Sequence, residues 1–274
     1  MTDQAPCPLP FLALAHAMAD AAAEVIRPWF RKRIPVDAKV DASPVTIADR
    51  DAEAAMRRMI EAAFPEHGIR GEEFASCRTD ADWIWVLDPI DGTKSFLSGS
   101  LAFGTQIALL HHGKPVLGMI NQPITGERWL GTGAMATLNG APIRTSDKTR
   151  LDEAILYTSA LEQFDGARHD RFSALAAKVL FSRFSHDCYA AGMLALGGID
   201  LLVESNVFDY DILPQMPIIE AAGGIVTDWE GRPLVDAPRY ETVLMAANEE
   251  IHGKALDILN SNCRGQRNST SGQT

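Results

Sequence analysis

The densest concentration of chemistry-bearing residues in the chain is Asp88-Pro89-Ile90-Asp91-Gly92-Thr93. Two carboxylates three residues apart flank a proline whose fixed φ stiffens the turn, so their oxygens can converge on one point. Hard oxygen donors at a rigid strand end, with the Ile90 carbonyl between them, suit Mg2+. Gly92 permits close backbone approach, and the N–H groups of Gly92 and Thr93, opening a short helix through Lys94 to Leu97, would face an anion such as phosphate. Taken alone, the string has a plainer reading, in which the aspartates cap a helix and close a turn. Three other places favour the chemical reading: Gly71-Glu72-Glu73 after the Pro65 turn, Thr46-Ile47-Ala48-Asp49 at a helix start, and Phe208-Asp209-Tyr210-Asp211 before a helix that ends in Ala222-Gly223-Gly224.

These residues need elements to position them. Helical spacing of apolar residues predicts two long helices, from Pro10 to Phe30 and from Ile47 to Phe64. The continuous apolar run Trp83 to Leu87 predicts a buried strand that stops at Asp88-Pro89. Strand-like runs at Gly104 to Leu110, Val116 to Asn121 and Glu127 to Gly131 predict a meander. Polar residues from Arg144 to Asp152 mark a boundary between two halves. The second half alternates: strands at Ala154 to Thr158, Ile199 to Glu204 and Gly224 to Asp228, and helices at His169 to Leu180, Tyr189 to Leu196 and Ile212 to Ala222. The reading is an N-terminal α+β half over 1–145 with the metal and phosphate motif, a C-terminal α/β half over 146–264 with Asp211, and a disordered tail over 265–274. Trp83, Trp85 and Trp129 are assigned to the core, His111-His112 to a solvated turn, and His186 to a loop without a catalytic task.

The 274 residues carry a formal charge of −11, and no Lys/Arg run is longer than Arg31-Lys32-Arg33. Neither nucleic acid nor an anionic membrane is the expected partner; a small molecule is. Cys7, Cys77, Cys188 and Cys263 form no CxxC pair, which argues against a zinc site and a disulfide framework and fits a reducing cytoplasm. The Ala-rich stretch from Phe11 to Ala23 reads as a helix and not as a leader, and no segment is expected to span a membrane.

Gly71-Glu72-Glu73, Asp88-Pro89-Ile90-Asp91-Gly92-Thr93 with Phe96, and Asp211 before Ala222-Gly223-Gly224 resemble, in order and spacing, the inositol monophosphatase family of Mg2+-dependent, Li+-sensitive phosphatases. The resemblance implies a layered αβαβα fold, two or three Mg2+ ions and a homodimer. It implies that Glu72, Asp88, the Ile90 carbonyl, Asp91 and Asp211 bind metal. Thr93 and Asp49, with Glu72, would orient and deprotonate the attacking water, and the N–H groups of Gly92 and Thr93 would hold phosphate. Ser95 stands where the family usually has Asn, and Tyr210 where it has Trp. With Thr227-Asp228-Trp229 and Asp187-Cys188-Tyr189, these changes resemble the bacterial histidinol-phosphate phosphatase branch, although Ser185-His186 replaces the Gly-Gly expected there. Asp187 and Glu204 align with positions that contact the organic part of the substrate. Such an acidic pair suits the amine of L-histidinol phosphate, and Arg183 could meet the phosphate or these acids. The alternatives are an inositol-1-phosphatase with the same metal machinery, and a metal- or anion-binding regulatory protein that has lost activity.

Overall fold

The computed structural model describes residues 7–38, 44–133 and 135–267, the last six of these by backbone alone. The N-terminal half runs α1 (Leu9–Ile26), β1 (Asp37–Ala38), β2 (Pro44–Val45), α2 (Ile47–Ala63), β3 (Gly68–Gly71), β4 (Trp83–Asp91), α3 (Thr93–Ser98), β5 (Gly104–His111), β6 (Lys114–Gln122), β7 (Glu127–Thr132), β8 (Met135–Leu138) and β9 (Ala141–Pro142). The C-terminal half runs β10 (Ile155–Thr158), α4 (Gly166–Ala176), β11 (Phe181–Phe184), α5 (Asp187–Ala195), β12 (Leu201–Phe208), α6 (Asp209–Ile212), α7 (Met216–Ala221), β13 (Ile225–Thr227), β14 (Arg239–Ala246) and α8 (Glu249–Arg267). Among the described residues, strands β3 to β9 form a seven-stranded sheet in sequence order, and a five-stranded sheet has the order β11-β10-β12-β14-β13.

Both sheets are covered on both faces, which gives the layered αβαβα fold. Along β4, Trp85 and Leu87 face α1 and α2, whereas Ile84 and Val86 face the helices between the sheets. That two-sided burial is why the strand reads as an unbroken apolar run. In the second sheet, Val243 and Met245 of β14 join the central core, and Leu244 and Ala246 pack towards α4 and α8. The middle helical layer approaches the first sheet through glycine. A Cβ on Gly118 would lie 2.0 Å from the Pro214 carbonyl oxygen, and one on Gly131 would lie 2.3 Å from that of Pro217.

Several expectations need correction. Strand β4 does not stop at Asp88-Pro89 but runs to Asp91. Its parallel partner β3 ends opposite Leu87, so beyond that point one edge of β4 is unpaired by β3 and the missing Pro89 N–H leaves no gap in that ladder. The helix expected over Ile212 to Ala222 is two short helices, because Pro214 and Pro217 interrupt the hydrogen-bond ladder. Strands β3, β8, β11 and β14 and helix α8 were not anticipated. Residues Leu9–Trp29, with mean hydropathy 1.4, do reach membrane-spanning length and composition, contrary to expectation. In the fold, Ala15, Met18, Ala19, Ala22 and Ile26 bury one face of this helix in the core with α2. Helix α8 continues to Arg267 into the stretch expected as a tail, and residues 268–274 lie outside the described residues.

Candidate active site

The carboxylate turn is built by a bulge. Asp88 pairs with Gln106 and Asp91 with Gly104, so three steps along β4 match two along β5. In a regular strand, residues three apart point to opposite faces; the extra residue turns both carboxylates the same way. Pro89 stays anchored, its carbonyl accepting from Thr105 Oγ1 at 2.9 Å. Gly92 then enters the left-handed region, φ +82°, and caps the N-terminus of α3.

The second half brings Asp211 to this turn. Donor atoms of Asp88, Asp91 and Asp211 all lie within 4.8 Å of one another. Each is oriented. Asp211 Oδ2 accepts from the Phe208 N–H at 2.8 Å, and Asp91 Oδ2 accepts from the Cys188 N–H. Gln106 Nε2 donates to the Asp211 carbonyl at 3.2 Å. Asp88 is buried, and its Oδ1 has no hydrogen-bond partner among the described residues. Glu72 follows β3, its N–H bonded to the Leu87 carbonyl at 3.2 Å, which puts it beside Asp88 across the parallel pair.

The electrostatics are those of a site that binds a cation. Burial, then repulsion from Glu72, Asp91 and Asp211, pushes Asp88 far above the usual carboxylate range. Burial and the charge of Asp187 push Asp91 up to about 8, against the hydrogen bond from Cys188. Asp211 is likewise raised, by burial and by Asp91. An all-oxygen set with a buried unpartnered carboxylate oxygen is the donor chemistry Mg2+ prefers, so the residues fit that ion.

The remaining expected residues fall into two groups. Asp49 is buried at the start of α2, bound through Oδ2 to the Thr46 N–H and hydroxyl at 2.8 and 2.5 Å in a capping box, and burial raises its carboxyl. Thr93 Oγ1 lies 3.2 Å from the Ile90 carbonyl and 3.5 Å from Asp49 Oδ1, so its hydroxyl proton is shared between acceptors. Asp187 leans over the turn. It accepts from Ser95 Oγ at 2.9 Å, and a Cβ on Gly92 would sit 2.6 Å from its Oδ2. The serine in place of the family asparagine therefore serves Asp187, whose carboxyl burial raises to about 6. Ser185 takes φ +62°, the conformation that glycine would supply there more cheaply. Asp187 and Glu204 line one cavity of about 150 Å³ with Asp91, Asp211, Ser159 and Gln163. Glu204 is already engaged: Oε1 accepts from the Ser159 N–H and hydroxyl, both at 2.9 Å, and Oε2 accepts from Gln163 at 2.7 Å. Burial raises its carboxyl to about 8. Arg183 is exposed on edge strand β11 and does not line this cavity; among the described residues it forms no ion pair with Asp187 or Glu204.

Two supporting clusters were missed in the sequence. Buried Glu53 accepts from Arg57 Nε and from the Glu73 N–H, both at 2.7 Å, and Arg57 reaches the carbonyls of Phe74 and Ala75. A Cβ on Gly71 would be 2.0 Å from Glu53 Oε1, so this turn is seated directly on that carboxylate. Arg70 joins the halves, with bonds of 2.6 and 2.8 Å to Asp236 and 3.4 Å to Asp209, two residues before Asp211. Only the i,i+4 spacing of Glu53 and Arg57 was visible beforehand.

The sequence profile of the inositol monophosphatase family matches residues 8–263. Over 258 residues the chain is 45% identical to "Bifunctional phosphatase IMPL2, chloroplastic" of Arabidopsis thaliana, covering 91% of this chain and 75% of that protein. It is 34% identical to a histidinol-phosphatase of Mycobacterium tuberculosis, covering 91% and 98%. A solved inositol monophosphatase from Zymomonas mobilis superposes with a TM-score of 0.84 at 43% identity, covering 92% and 98%. The chain belongs to the inositol monophosphatase family and is a phosphoric monoester hydrolase, of a family whose enzymes use Mg2+.

Proposed function

Because the chain is a phosphatase of this family acting on a small phosphorylated metabolite, we propose that its substrate is L-histidinol phosphate, hydrolysed to L-histidinol and phosphate as a step of histidine biosynthesis. The observation that carries this reading is the cavity beside Asp91 and Asp211, whose charged lining is wholly acidic, with Asp187 and Glu204 and no basic side chain. A cationic amine there would gain charge-assisted hydrogen bonds and pull both raised carboxyls back towards ionisation. The second reading, inositol 1-phosphate, is favoured by the likeness to the Zymomonas mobilis enzyme.

In this reading Glu72, Asp88, the Ile90 carbonyl, Asp91 and Asp211 would hold two or three Mg2+ ions. Bound there, Mg2+ would lower the pKa of a coordinated water and offset the charge on the phosphoryl group. Thr93 Oγ1, whose own proton points to Ile90 or Asp49, keeps lone pairs that would align such a water, and Glu72, with the Thr93–Asp49 pair, would accept its proton. The N–H groups of Gly92 and Thr93 bind phosphate oxygens, and Asp187 and Glu204 bind the organic part. Arg183, exposed on β11 and outside the lining of this cavity, is given no substrate contact in this reading. The halves 1–145 and 146–264 meet at the site, since β4 carries Asp88 and Asp91 and α6 carries Asp211. A homodimer is supported by Leu180, Phe181 and Phe184, exposed at and beside edge strand β11. A reducing cytoplasm is supported by the free thiols of Cys7, Cys77 and Cys188.

Side-by-side turnover tests the substrate. One charge-assisted hydrogen bond is worth about 1.5–3 kcal/mol, so kcat/KM for L-histidinol phosphate should exceed that for inositol 1-phosphate by about 10- to 100-fold with Mg2+. Equal values, or the reverse order, would overturn the assignment.

A further inference from the structure

A second polar cavity, of about 420 Å³, opens where α1 crosses the ends of β6 and β7, and it shares no lining residue with the carboxylate cluster or the acidic cavity. Its charged lining is Arg27, Arg128 and Asp20, with His16 beside them, so two guanidiniums face one carboxylate in a chain of net charge −11.

These groups are held in place. Arg128 donates through Nε to Asn121 Oδ1 at 2.8 Å and through Nη2 to Asp20 Oδ1 at 2.6 Å. Its Nη1 lies 3.1 Å from His16 Nδ1. A guanidinium only donates, so His16 accepts at Nδ1 and is the neutral tautomer, in keeping with the downward push on its pKa from burial and Arg128. The same logic fixes the Asn121 amide: Oδ1 must face Arg128, which leaves Nδ2 as the other end. That Nδ2 is buried behind the cavity wall and has no hydrogen-bond partner among the described residues, so Asn121 serves the site by fixing Arg128. Arg27 is pinned by its Nε to the Pro123 carbonyl at 2.7 Å, and its two terminal nitrogens have no partner among the described residues.

We propose that this cavity is a binding site for the carboxylate or phosphate group of a small anionic metabolite, held by the terminal nitrogens of Arg27 with the outer hydrogens of Arg128. The volume exceeds a lone ion and admits an organic remainder. The site also touches the catalytic half of the first sheet: Asn121 is the register partner of Thr105, whose hydroxyl holds the Pro89 carbonyl. The inference does not depend on which phosphate ester is hydrolysed.

The experiment is calorimetric titration of the Mg2+-loaded full chain with succinate, for the carboxylate source, and with sulfate, for the phosphate-like source. Succinate and sulfate heats in wild type tell which oxyanion is preferred; no heat from either overturns the proposal. Arg27 is exposed, so Arg27→Gln should fold and should weaken binding at least tenfold. Asp20→Asn removes the one lining acid and should tighten binding several-fold. Asp88→Asn, at the catalytic turn, should leave the affinity within twofold. Affinity indifferent to both Arg27→Gln and Asp20→Asn, or lost in Asp88→Asn, would place the anion elsewhere and refute the site.

Discussion

Replacing Glu53 by alanine isolates the support beneath Glu72. The carboxylate is fully buried and accepts from Arg57 and from the Glu73 N–H, both at 2.7 Å, while the Arg57 side chain is 16% exposed. The substitution leaves the guanidinium without its counter-charge and removes the acceptor of the Glu73 N–H. Breaking one partner of such a buried pair costs about 3–5 kcal/mol. At about 2–4 °C per kcal/mol for a chain of this size, the melting temperature should fall by about 6–20 °C. Gly71 rests against Glu53 Oε1, so the turn should also sag into the vacated volume and carry Glu72 with it. A displacement of ~1 Å at a reacting group costs about 100-fold in rate. The assay pairs scanning calorimetry with Mg2+-dependent phosphate release, measured well below the variant's melting point. Glu53→Gln, which keeps an acceptor, should lie between the two proteins. A melting temperature within about 3 °C of wild type together with unchanged turnover would refute this account of the turn.

Glu72→Gln should lower turnover by about 100- to 10,000-fold, with the circular dichroism melt nearly unchanged, because the side chain serves proton transfer and ion binding more than packing. Gly92→Ala should cost about 1–2 kcal/mol from φ +82° alone, and with its Cβ 2.6 Å from Asp187 Oδ2 it should raise KM; wild-type KM would contradict the close approach. In chelator-treated protein, Asp91 sits at about 8 against 3.8 unfolded, so between those values the folded state holds the extra proton and stability falls as pH rises. The ion-free melting temperature should therefore drop from pH 5 to pH 8.5 by about 5–10 °C, after discounting for the partial exposure of Asp91, and excess Mg2+ should restore it. A flat profile, or no response to Mg2+, would show that the carboxylates do not repel one another as described.

The parts of this fold that were legible are those where local pattern and tertiary setting agree. Helices α1 and α2 show their period, and β4 to β6 show their two-sided burial as apolar runs. Strand β3, Gly-Ile-Arg-Gly, carries too little apolar pattern to be seen, yet it places Glu72. Pro89 reads as a stop because proline usually interrupts a ladder; only the end of β3 opposite Leu87 explains its presence within a strand. The convergence of Asp88 and Asp91 was legible as a rigid turn, but the bulge that accomplishes it depends on the register with β5. Glu53 and Arg57 look like an ordinary solvated helix pair until Gly71 is seen resting on them. Glu204 reads equally as ligand or scaffold, and its bonds to Ser159 and Gln163 give it scaffold duties in any case.

The glycine contacts at positions 118 and 131, with Gly192 packed so near the Trp129 ring that a Cβ would fall 2.7 Å from it, glue the middle helices to the first sheet, and Gly224, where a Cβ would lie 2.8 Å from the Ala246 carbonyl oxygen, ties them to the second. One apolar cluster accordingly contains Val86 and Trp129 from one half and Leu202 and Met245 from the other. A protease that nicked the connector near 144–150 would thus release nothing: the two fragments should co-migrate and melt as a single transition. Either fragment produced on its own would present half of that cluster to water and precipitate.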